Sequence, residues 1–188
     1  LMNYLPRMLM MRLVLPVFSL LAVVSPLAAQ SRGTKDSELL VRLPSYCNTP
    51  DGMVLLPNDN LVLSVPNCND LEPGSFLVQI TPDNKVEKLV KFSQHPVTGK
   101  PAGPLGVCLA PNGDLFVADY QMTGDRQSRV LRVSMNNGKV VDVKPVITGF
   151  HVSNAVLVHD GCLYVSETQI DPEATPATSG VFRFELAE

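Results

Sequence analysis

Side chains suited to chemistry are few and dispersed along the chain. The imidazoles are His95, His151 and His159, and the thiols are Cys47, Cys68, Cys108 and Cys162. His95 and His151 fall in loops and His159 in a turn, so each reads as an exposed polar residue. The cysteines contain no C-x-x-C pair, the spacing expected of a redox or zinc site. Cys47 and Cys68 flank one apolar hairpin pattern and are candidates to pair, although connectivity is not fixed by sequence. Cys108 and Cys162 interrupt apolar runs, where a buried thiol is expected. No nucleophile elbow, zinc helix, phosphate-cradling loop or dinucleotide fingerprint is present. Net charge is −3 with the signs interspersed, which lacks the basic patch of a nucleic-acid-binding protein. The oxygen-bearing side chains Asp51, Asn154, Asp119 and Glu167 remain, and their chemistry depends on the elements that carry them.

Those elements repeat. The stretch from Pro50 to Ser64 aligns with Pro104 to Ala118, and a copy one residue shorter runs from Ser153 to Ser166. Gly52, Gly106 and Ala155 correspond, at offsets of 54 and 49 residues. Each copy is an apolar run, a turn of Pro, Asn, Asp or Gly, and a second apolar run, which predicts a β-hairpin. Third strands are expected at Ser75 to Ile80, Ser128 to Val133 and Ser179 to Phe184, where Arg132 and Arg183 interrupt the apolar positions as half-buried strands require. Fourth segments follow at Lys85 to Phe92 and Lys139 to Thr148. Four antiparallel strands per repeat of this length is the pattern of a β-propeller blade. The expected fold class is all-β, with about three blades of a six-bladed ring. Asp171 to Ser179, with two prolines, reads as a loop.

The ends carry further expectations. Arg7 and Arg12 precede an apolar stretch, Leu13 to Val24, and then small residues up to Ala29, the order of a secretory signal peptide. The prolines argue against a membrane span, which takes about 20 apolar residues. The reading is a signal peptide over 1–29, a partial propeller over 30–188, and an exported protein, periplasmic or extracellular, without a stable membrane anchor after cleavage. Glu38 to Leu43 resembles an outermost fourth strand. Three blades fall short of the four to eight of closed propellers, so either the sequence is a fragment or two chains form one ring. Unpaired strand edges invite aggregation, which favours the fragment.

Gly103 to Val107 followed by Gly113 to Asp119, and Ser153-Asn154-Ala155 followed by Leu163 to Thr168, resemble the senescence-marker-protein/gluconolactonase family. The blades are also similar to NHL repeats. The resemblance implies a divalent ion, usually calcium, held by carboxylate and amide oxygens where innermost strands begin. It also implies hydrolysis of lactones or similar esters of small-molecule, sugar-derived type. Calcium takes six to eight oxygen ligands, and as a Lewis acid it stabilises charge on a carbonyl oxygen. The matching positions are Asp51, Leu105 and Asn154; Asp51 and Asn154 are the candidate metal ligands, and Leu105 cannot be one. The catalytic carboxylate is not identified. Against this stands turn capping, since Asp and Asn often bond nearby backbone N–H groups. Asp119 and Glu167 read as solvated loop ends that could also line the channel mouth. The competing function is a non-catalytic propeller that binds a ligand or protein through its loops.

Overall fold

The computed structural model describes residues 37–121 and 125–186. The chain divides into units Leu1–Glu38 and Leu39–Glu188, and every strand belongs to the second unit. The expected signal peptide lies outside the described residues. Among the described residues no helix is long and apolar enough to cross a membrane.

Alternating apolar runs separated by turn residues fold as three antiparallel sheets. The first contains β1 (Met53–Leu55), β2 (Leu61–Val65), β3 (Phe76–Ile80) and β4 (Val86–Lys91), paired in chain order. The second repeats that order with β5 (Pro104–Leu109), β6 (Leu115–Asp119), β7 (Ser128–Asn136) and β8 (Lys139–Phe150). The third has β9 (Ser153–His159), β10 (Cys162–Glu167) and β11 (Gly180–Glu185). Turns reverse where the sequence supplies residues tolerant of positive φ: Asp59 at 62°, Gly113 at 87° and Asp160 at 47°. Strand β8 runs through Pro145, which its place on the outer edge and a register shift beside it allow.

Apolar faces fill the spaces between successive sheets. Val62, Leu77, Val107, Val117 and Leu131 join the first sheet to the second. Cys108, Phe116, Val130, Val156 and Leu163 join the second to the third, with Phe150 set edge-on against Phe182 and Phe184 at 5.6 and 6.0 Å between ring centres. The innermost strands stack most closely. A Cβ on Gly52 would lie 2.7 Å from the Leu105 carbonyl oxygen, and one on Gly106 would lie 2.7 Å from that of Asn154. Glycine is required at both positions because backbone meets backbone. Sheets stacked through their innermost strands in chain order are blades of a β-propeller.

Two expectations change. Glu38 to Leu43 forms no strand and does not complete the three-stranded third sheet, whose outer strand is β11. Leu43 instead packs with Tyr46 against Leu63, Val65 and Phe76 on the face of the first blade turned away from the second. All four cysteines are free. Cys47 is buried in that same cluster, whereas Cys68 is exposed.

Candidate functional site

The three repeat positions singled out by sequence share one backbone device. In the second blade Pro104 pairs with Asp119 and Val107 with Val117, so Leu105 and Gly106 together oppose Ala118. In the third, Ser153 pairs with Glu167 and Val156 with Val165, so Asn154 and Ala155 oppose Ser166. In the first, the Asp51 N–H donates to the Ser64 carbonyl at 3.0 Å and the Ser64 N–H to the Gly52 carbonyl at 2.9 Å. Two residues against one is a β-bulge, which bends the strand and re-aims a side chain. Here it tips residue 51, 105 or 154 out of the ladder and, in the first two blades, brings Gly52 and Gly106 against the blade that follows.

Blade contacts set these positions in one arc. The Gly52 N–H donates to the Leu105 carbonyl at 3.3 Å, and the Ser64 hydroxyl bonds the same carbonyl. The next contact runs from Gly106 to Asn154 and Ala155, and Ser166 Oγ accepts from the Ala155 N–H at 2.8 Å. Asp51, Leu105 and Asn154 therefore follow one another around one rim, with Asp51 and Asn154 both exposed. The Leu105 carbonyl is already used by the scaffold.

Asp119 and Glu167 are not solvated loop ends. Asp119 is 0 % exposed. Its Oδ2 accepts from Arg129 Nε at 2.6 Å, and its Oδ1 from the Gly103 N–H at 2.7 Å and Gln121 Nε2 at 3.0 Å. Glu167 is 3 % exposed and accepts from the N–H groups of His151, Val152 and Gln169 at 2.9, 2.7 and 3.0 Å. In the first blade the buried Asn67 does similar work, accepting from the Asn48 N–H at 2.9 Å and donating to the Tyr46 carbonyl at 2.8 Å. Each blade thus uses one polar side chain at or just past the end of its second strand to tie down the segment entering its innermost strand. A buried backbone donor left unpaired is costly, so these groups are structural.

His95 also departs from expectation. It is buried at 4 % exposure, and its Nδ1 accepts from the N–H groups of Val97 and Thr98 at 3.2 and 3.3 Å. Burial, with the positive charge of Arg129 nearby, lowers its basicity below that of a free imidazole, which suits an acceptor role. His151 is partly buried, with Nδ1 3.2 Å from Asp125 Oδ1, while His159 is exposed as expected. The aligned position of Asp119 and Glu167, at the end of a buried strand, was a sequence signal for their role. For His95 no such signal exists.

Comparison with known proteins returns distant matches among solved structures. No protein-family model matches the sequence, and no curated protein matches it. Among solved structures the chain is similar to a candidate gluconolactonase, with 20 % identity and a TM-score of 0.48, covering 65 % of this chain and 43 % of that one. It is also similar to a candidate oxidoreductase (glucose dehydrogenase) from Thermus thermophilus, with 16 % identity and a TM-score of 0.49, covering 65 % of this chain and 38 % of that one. The chain spans less than half the length of either protein.

Calcium fits the rim in donor type but not in number. Asp51 and Asn154 offer hard oxygen atoms, the kind calcium takes, yet two side chains fall well short of six to eight ligands. Among the described residues no group of three or more His, Cys, Asp or Glu is placed to hold a metal ion.

Proposed function

We propose that the chain supplies part of the axial mouth of an exported, calcium-dependent propeller hydrolase acting on lactones or similar esters. The observation that carries this reading is the bulge repeated in three blades, which presents Asp51 and Asn154 on one exposed rim. Asp51 contributes a carboxylate and Asn154 an amide oxygen, and a bound divalent ion would polarise a carbonyl. Asp119 and Glu167 hold the backbone beneath that rim. The carboxylate that activates water comes from elsewhere in the complete protein.

Calcium binding by the complete protein tests the reading. Calcium should raise its unfolding midpoint, and Asp51→Ala and Asn154→Ala should each remove most of that rise while leaving the calcium-free protein folded. Unchanged calcium binding in both variants would refute the assignment. A second reading, a binding propeller without catalysis, draws on the use of Asp119 and Glu167 as structural groups. No turnover of a lactone panel by the calcium-loaded complete protein would favour it.

A further inference from the structure

Between the first and second blades, on the face where the innermost strands begin, lies a cavity of about 170 Å³. Its walls are mainly apolar, formed by Pro66, Leu71, Pro101 and Tyr120, and Lys100 and Cys68 stand among them. Gln121 also lines it, but its amide is already engaged, accepting from Thr98 Oγ1 at 2.8 Å and donating to the Pro101 carbonyl and Asp119. Among the described residues that line it, Lys100 is the one with a charged side chain. Of the acids that flank lining residues, Asp119 binds Arg129 and Asp70 accepts from the Glu72 N–H, while Glu72, next to Leu71, is exposed to solvent. Among the described residues none forms an ion pair with Lys100.

We propose that this cavity binds a small carboxylate with an apolar body, its ring or short chain against Leu71, Pro101 and Tyr120 and its charge toward Lys100. The volume is close to that of cavities known to admit a benzene ring, and a single cation beside apolar walls selects an anion that brings its own apolar surface. The site is separate from the rim of Asp51 and Asn154 and does not depend on an ion there.

Cys68 reports on occupancy, because it lines the cavity and is the one exposed thiol of the four. The probes are benzoate and its neutral isostere benzamide, each titrated against the rate of Cys68 alkylation by iodoacetamide, with ligand-observed NMR as a second readout. Benzoate should protect Cys68 at lower concentration than benzamide. Lys100→Gln should raise the benzoate concentration for half-protection about tenfold, the scale of one charge-assisted hydrogen bond, and make the two probes equal. Leu71→Asp should weaken both. Lys100 and Leu71 are exposed, so both variants should keep the native unfolding midpoint. Equal protection by the two probes in the native protein, an unchanged benzoate response in Lys100→Gln, or no binding by either readout would overturn the proposal.

Discussion

Asp119 and Arg129 form a buried ion pair, Nε to Oδ2 at 2.6 Å, with the carboxylate fully enclosed and the arginine side chain 10 % exposed. The same carboxylate holds the Gly103 N–H at the entrance to β5. One acid therefore joins three strands: β6, which carries it, β7 through Arg129, and β5 through Gly103.

Asp119→Ala should lower stability by about 3–5 kcal/mol, because it leaves a buried guanidinium without its partner. Urea denaturation checks this against Asp51→Ala. The exposed Asp51 should leave the midpoint in calcium-free buffer unchanged, so a loss as large at Asp51 would mean that it too is structural.

Gly106→Ala should cost about 1–3 kcal/mol, the range of an overpacked core. Its Cβ would lie 2.7 Å from the Asn154 carbonyl oxygen and 2.8 Å from Ala155 Cα. Gly113→Ala makes the comparison, since a Cβ there meets nothing within 4 Å but φ is +87°. Its cost should be about 1–2 kcal/mol, from backbone conformation alone. Thermal unfolding of the two, together with exchange rates of the β5 and β9 amides, separates the mechanisms: only Gly106→Ala should loosen both strands.

Asp114 gives a pH signature. Burial tends to raise its pKa, but the Met135 N–H, the Arg132 guanidinium and Asn112 outweigh burial and hold the carboxyl below its ordinary value. A depressed folded pKa adds stability that is present above the unfolded value, about 3.9, and is lost as pH falls through the folded value. Native protein should thus be more stable than Asp114→Asn at neutral pH, and the gap should narrow below about pH 4. A gap independent of pH would remove the carboxylate's charge from the explanation.

Thiol counting should find one fast-reacting cysteine in the folded chain and four after denaturation. Cys68 is exposed while the other three are buried, and burial pushes the Cys108 thiol up to about 11, far from the thiolate that reacts. No fast thiol in folded protein, and two fewer after denaturation, would restore the pairing of Cys47 with Cys68.

Strands were legible in the sequence where alternation and turn chemistry agreed. Val62, Leu63 and Ser64 sit in β2 and Val117 and Ala118 in β6 as their alignment requires, short apolar runs between turn residues that are buried on both faces. Asp119, Glu167 and His95 were misread for a common physical reason. Each satisfies backbone donors contributed by a loop, and residue type alone does not distinguish a polar group facing water from one facing unpaired N–H groups. The bulges were partly legible: the aligned doublets Asp51-Gly52, Leu105-Gly106 and Asn154-Ala155 marked the place, but that two residues share one partner appears only in the ladder.

Ala155 breaks the sequence of glycines. Gly52 and Gly106 let each blade close onto the backbone of the next, whereas the third blade offers a methyl group at the same place. A further blade docked on β9 in the same way would meet that methyl before it met the backbone, and would stand farther off. The backbone-to-backbone approach made at Gly52 and Gly106 is therefore closed to β9, where Ala155 puts a methyl group in its place.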